Sequence, residues 1–135
     1  MKRARYIDLK VHRNFRGSLV AIEQERDIPF EVKRVYYIFD VPAGMKRGFH
    51  AHRKLRQLVV CLSGSCRFVV DNGIERQDFV LDAPDRGLYI EGMVWREIHD
   101  ISEGCVIMVL ASELYNDTEY IFDYEHFLKL VREEA

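Results

Sequence analysis

Arg47-Gly48-Phe49-His50-Ala51-His52-Arg53-Lys54-Leu55-Arg56-Gln57 is the stretch that decides how this chain is read. Its two histidines stand two residues apart. In a β-strand residues i and i+2 project to the same face, with Cα atoms roughly 6.5–7 Å apart. An extended reading therefore turns His50 and His52 into one space and Ala51 away from it. Imidazole, with an unperturbed pKa of about 6.5, titrates nearest neutrality, so two of them facing one cavity suit a metal site or proton transfer. On a bare surface strand the pair would do neither. The setting argues against a bare surface, because Arg47, Arg53, Lys54 and Arg56 crowd the pair and apolar strand-like runs flank it.

Outward from this stretch the pattern is almost entirely β. Upstream, Ile7 to Val11 and Leu19 to Ile22 read as short strands around the turn Asn14-Phe15-Arg16-Gly17-Ser18. The charged segment Glu23 to Ile28 is expected to loop outward. Val32 to Val41 reads as a longer strand ended by Pro42-Ala43-Gly44. Downstream, Leu58–Leu62 and Cys66–Val70 flank Ser63-Gly64-Ser65. Asn72-Gly73 predicts a type I′ hairpin into Ile74–Leu81, since this dipeptide tolerates positive φ. Leu88–Ile90 and Val94–Ile98 follow, and Cys105 to Ala111 is an apolar run fitting a strand buried on both faces. Only the tail changes period: Tyr124, Phe127, Leu128 and Val131 fall on one helical face, with Asp123 available as N-cap. Many short strands and one terminal helix predict an all-β sandwich or barrel with its ligand site in the mouth.

The bulk properties narrow the partners. A chain of 135 residues is one domain, expected here as a single unit over 1–135. A net charge of −2 argues against nucleic-acid binding driven by global charge. The basic Met1-Lys2-Arg3-Ala4-Arg5 is followed by no apolar h-region, and no apolar run approaches the length of a membrane span, so a cytoplasmic protein is expected. Cys61, Cys66 and Cys105 lack metal-ligand spacing and lie in apolar runs, which reads as reduced core thiols.

Gly48-x-His50-x-His52 followed by a hairpin resembles the first motif of the cupin jelly rolls, and Gly87 to Arg96 resembles the second. The resemblance implies an all-β cupin, a jelly-roll β-barrel with a short C-terminal helix. In metal-binding cupins the motifs supply three histidines and a glutamate. Here Gln57 falls near the glutamate position and Trp95 at the third histidine, so two ligands of four remain. A transition-metal site normally wants three or four, and no metal or other cofactor is expected. Lys33-Arg34-Val35-Tyr36-Tyr37-Ile38-Phe39-Asp40-Val41-Pro42, Arg47 to His52, Gly87-Leu88-Tyr89-Ile90 with Trp95-Arg96-Glu97, and Leu110 through Tyr124 further resemble the sugar 3,4-ketoisomerases. That resemblance runs from about Asn14 to Leu130. It implies an isomerase acting on dTDP-4-keto-6-deoxyglucose in deoxyamino-sugar biosynthesis, without metal, as a homodimer whose N-terminal strands exchange between subunits.

The reaction is a tautomerisation through an enediol or enediolate. His50 and His52 are the expected proton carriers, dividing the carbon and oxygen transfers between them. Tyr37 is the expected phenol for the developing oxyanion. Arginines should meet the diphosphate: Arg47 first, then Arg16, Arg34 and Arg96. Gln57 is expected to bond a sugar hydroxyl or fix a histidine tautomer, and Trp95 to pack on the sugar ring or fill the barrel. The alternatives are a cupin sugar 3,5-epimerase, which would exchange protons at C3 and C5, a metal-dependent cupin oxygenase, and a non-catalytic sugar-nucleotide-binding cupin. The face on which C4 is reprotonated, and so the gluco or galacto product, does not follow from residue types.

Overall fold

The computed structural model describes residues 1–134. Its strands are β1 (Ala4–Asp8), β2 (Val11–Asn14), β3 (Gly17–Val20), β4 (Arg34–Ile38), β5 (Arg47–His52), β6 (Arg56–Ser63), β7 (Cys66–Asp71), β8 (Arg76–Leu81), β9 (Arg86–Glu91), β10 (Val94–His99), β11 (Val106–Ala111) and β12 (Tyr120–Ile121). A 3-10 turn (Asp117–Glu119) precedes β12, and α1 (Tyr124–Glu134) closes the chain. Two five-stranded antiparallel sheets pack face to face, ordered β1-β9-β6-β11-β4 and β12-β5-β10-β7-β8. Among the described residues no strand pairing joins the two sheets, so the expected jelly roll takes the form of an open sandwich. None of the described helices is long and apolar enough to cross a membrane.

The main core lies between the sheets. Val59 and Cys61 of β6, Cys66, Phe68 and Val70 of β7, Ile98 of β10, and Ile107 and Val109 of β11 contribute alternate residues to it, as a half-buried strand must. The apolar run into β11 is explained by its central place between β6 and β4. One face meets the opposite sheet. The other is covered by Leu9, Ile28 and Phe30, which pack with Leu58, Val60, Tyr89 and Leu110. Ile28 is thus buried within the segment expected to loop outward, because the outer face of this sheet needs an apolar cover.

Three local readings change. The first expected strand is broken, β1 ending at Asp8 and a new strand beginning at Val11. β2 and β3 form a two-stranded sheet of their own, with Phe15 almost fully exposed at its tip. Asn72-Gly73 opens a four-residue loop between Asp71 and Arg76 in place of a two-residue turn. There the Asn72 side chain accepts from the backbone of Ile74 and Glu75 at 2.9 Å each, and Gly73 alone takes positive φ. The helix starts as expected: Asp123 Oδ1 accepts from the His126 backbone N–H at 3.0 Å. Its apolar face buries Phe127 against Trp95, Ala51 and Ile121.

Candidate active site

The site follows from one extra residue in β5. Its partner β10 pairs Ile98 with Arg47, Glu97 with Gly48 and Arg96 with His50, leaving Phe49 unopposed. Directly opposed residues of an antiparallel pair share a face. Ile98 and Arg96 face inward, so the bulge lets Arg47 and His50, three residues apart, both face inward as well. Strict alternation would have split them. The cost is local: Phe49 sits at φ 59 and Gly48 at φ 85, where non-glycine residues are strained. A Cβ on Gly48 would also lie 3.1 Å from the Arg96 carbonyl oxygen, so this position needs its glycine.

The result is a cavity of about 430 Å³ at the mouth of the sandwich. Arg34, Tyr36, Arg47, His50, Gln57 and Arg96 supply its polar wall, and Val59, Phe68 and Val109 its floor. Tyr115, Tyr120 and Phe122 form an aromatic side, with Tyr120 and Phe122 stacked at 5.5 Å between centroids. His52 lies one strand step deeper, fully buried, its ring 4.8 Å from His50 and 4.4 Å from Tyr120. It does not line the cavity. Both His52 ring nitrogens lack hydrogen-bond partners, as do the Nε atoms of Arg34 and Arg96.

Arg96 governs the electrostatics. It is buried, and burial lowers its pKa to about 10, leaving it a cation at neutral pH. It donates to the Gln57 Oε1 atom and to the Val94 carbonyl. That bond fixes the Gln57 amide, whose Nε2 donates to the Tyr36 hydroxyl at 3.1 Å. Tyr36 therefore accepts from Gln57 and keeps its own proton to donate. Burial raises the Tyr36 pKa, so it stays a phenol. Burial first and Arg96 second lower the pKa of His50 to about 4, opposed by a bond to the Gly48 backbone. His52 is lowered further by burial, then by Arg96, His50 and Arg34.

Both imidazoles are thus neutral at pH 7. For His50 the base form persists as pH falls through 6.5 and is lost through about 4. The acid limb of kcat/KM, which reports the free enzyme, should accordingly lie well below 6.5. A pH–rate profile with an ordinary limb near 6.5 would contradict this electrostatic account. The same guanidinium bears on metal binding. Among the described residues, no third His, Cys or carboxylate joins His50 and His52 at ligand distance, Gln57 is already engaged by Arg96 and Tyr36, and a buried cation faces the pair. The donor set does not fit a metal ion.

Six of the expected residues are gathered at the site: His50, Arg47, Arg34, Gln57 and Arg96 on the wall, and His52 behind it. Three are not. Tyr37 points to the outer face of β4, 64% exposed and beside Phe39. Tyr36 occupies the inner place, and period 2 from the inward Arg34 was the signal that could have found it. Trp95 lies on the opposite face of β10 from Arg96, under α1, with Tyr124 at 5.3 Å and its Nε1 donating to Glu97 at 3.0 Å. It touches no ligand space. Arg16 sits exposed on the β2–β3 hairpin, outside this chain's cavity. Tyr120, Phe122 and Tyr115 were missed as site residues, because β12 has two residues and leaves no periodic trace.

The chain as a whole has counterparts among known proteins. The family described as FdtA: WxcM-like, C-terminal, matches residues 2–132.

The chain belongs to the FdtA family.

It is similar to the TDP-4-oxo-6-deoxy-alpha-D-glucose-3,4-oxoisomerase of Aneurinibacillus thermoaerophilus, 55% identical over 116 residues, which are 86% of this chain and 84% of that one. It is also similar to a histidine-to-asparagine mutant of the 3,4-ketoisomerase QdtA from Thermoanaerobacterium thermosaccharolyticum, solved in complex with TDP-4-keto-6-deoxyglucose. Here identity is 40%, the TM-score 0.95, and coverage 98% of this chain and 96% of that one. The WlaRB TDP-quinovose 3,4-ketoisomerase of Campylobacter jejuni is 42% identical with a TM-score of 0.93, over 96% of this chain and 99% of that one. These FdtA-family likenesses span both sheets and the helix, so the cup is compared within a shared frame.

Proposed function

We propose that this chain is a TDP-sugar 3,4-ketoisomerase that moves the ketone of TDP-4-keto-6-deoxyglucose from C4 to C3. The observation that carries the reading is His50 on the cavity wall, held neutral, beside the Arg96–Gln57–Tyr36 network. Identity of 55% with a 3,4-oxoisomerase supports the substrate class.

His50 takes the proton from C3, which the adjacent C4 ketone acidifies. The electron pair moves into an enediolate with its charge on O4. Tyr36 donates a hydrogen bond to that oxygen, and Arg96, one step behind, stabilises the same charge in a low-dielectric cup. The imidazolium returns the proton to C4, and the O3 hydroxyl proton passes to O4, so the C3 carbonyl forms as O4 becomes a hydroxyl. Arg34 and Arg47, at the cavity edge, meet the diphosphate. Tyr120 and Phe122 give the sugar or base a flat apolar wall. His52 packs edge-on against His50 and Tyr120 and acts by holding that ring. The sequence assigned a transfer to each histidine; the burial of His52 favours a positioning role.

Turnover tests the reading. Incubated with TDP-4-keto-6-deoxyglucose, the enzyme should move the ¹³C carbonyl signal from C4 to C3. Binding without any change in the sugar would favour the non-catalytic module. Removing one oxyanion donor typically costs 10²–10³-fold in kcat, so Tyr36→Phe should lose on that order while Tyr37→Phe stays within about twofold. Equal losses, measured as kcat, would return the role to Tyr37.

We further propose a homodimer. Among the described residues the β2–β3 hairpin pairs with no other strand of its own chain, and such an unpartnered ribbon is a natural addition to a second copy's sheet. β1 pairs with β9 of its own chain, so the exchange is limited to the hairpin. A monomer in sedimentation at micromolar concentration would refute it. We read the enzyme as cytoplasmic, because a diphosphate-bearing substrate crosses an apolar membrane only at high cost.

A further inference from the structure

The three cysteines, scattered in sequence, meet in space. Cys61 ends the inward row of β6, Cys66 opens β7, and Cys105 immediately precedes β11. All three are buried and unbonded. Their sulfurs all lie within 4.8 Å of one another, with Cys61 and Cys105 at 3.6 Å. The row Gln57, Val59, Cys61 runs from the catalytic cup through its floor to this cluster, so the thiols form a separate site at the closed end of the same core. Two loops are clamped over it: Ser65 N–H donates to Ser102 Oγ at 2.9 Å, and Ser102 N–H to the Ser65 carbonyl at 2.9 Å.

We propose that Cys61, Cys66 and Cys105 form a three-sulfur site for a soft monovalent cation, Cu⁺. Thiolate sulfur selects soft ions such as Cu⁺ and Zn²⁺. Zinc wants four ligands, and among the described residues no fourth His, Cys or carboxylate stands with these three. A trigonal ion at a metal–sulfur distance of about 2.3 Å spaces its sulfurs by about 4.0 Å, which falls between the observed 3.6 Å and 4.8 Å limits. As Cu⁺ enters, each thiol that binds it releases its proton to solvent and forms a copper–thiolate bond.

The test titrates the reduced full-length protein with Cu⁺ under anaerobic conditions against a competing Cu⁺ chelator, followed by copper K-edge absorption of the loaded protein. The expected result is one Cu⁺ retained per chain in a shell of three sulfurs. Cys66→Ser should lose that three-sulfur shell, which separates the cluster from the chain's four methionine thioethers; an unchanged shell in this variant would overturn the proposal. Loss of all copper to the chelator, a shell containing nitrogen from the histidines, or a shell of two sulfurs would each overturn the proposal.

Discussion

His50→Asn should lose turnover by about 10²–10⁴-fold, the range general acid–base catalysis supplies, and should abolish solvent exchange at C3 altogether. Asn is isosteric enough to keep the strand, and the bulge at Phe49 that aims position 50 belongs to the backbone. The fold should therefore survive, as circular dichroism can check. His52→Asn should behave differently. It leaves a base on the cavity wall but removes the ring packed 4.8 Å behind it, so turnover should fall less and exchange at C3 should persist. If His52→Asn matches His50→Asn in both readouts, His52 transfers a proton itself. If His50→Asn keeps near-full activity while folded, the proton-transfer account fails.

Trp95→Ala should be the most destabilising single change. The indole is 4% exposed and packs between β10 and α1 against Tyr124 and Phe127. Truncating a buried Trp to Ala typically costs about 3–5 kcal/mol, a large share of a net stability of about 5–15 kcal/mol. The Glu97 carboxylate also loses its indole donor, though it keeps His99 at 2.8 Å. Urea denaturation followed by far-UV circular dichroism measures the loss, since the only tryptophan has been removed. Activity of the folded fraction should stay within a few-fold, because Trp95 faces away from the cup. A tenfold loss of kcat at unchanged stability would put Trp95 back on the sugar.

Much of this was legible because strand period and motif spacing are local. The His50/His52 pairing on β5, the β6 and β7 strands, the buried β11 run and the Asp123-capped helix each followed from residues a few positions apart. Choosing Tyr37 over Tyr36, and leaving Trp95 open to a sugar contact, came from reading residue type ahead of a local alternation that Arg34 and Arg96 already fixed. The other gaps had non-local causes. The bulge at Phe49 has no signature beyond Gly48, since its cause is the register against β10. Tyr120 reaches the site through two residues of pairing with β5, too few to show a pattern. Cys61, Cys66 and Cys105 are the buried free thiols expected, but their meeting in space left no trace in spacing, because strand ends and not one loop bring them together.

The central claim is that carbon acidity is exploited between C3 and C4 and nowhere else. Running the reaction on TDP-4-keto-6-deoxyglucose in D₂O, with each ring position followed by NMR, tests it directly. The account predicts deuterium at C3 of recovered substrate or at C4 of the 3-keto product, with the C5 proton untouched. Deuterium at C5 would contradict it and make the enzyme an epimerase.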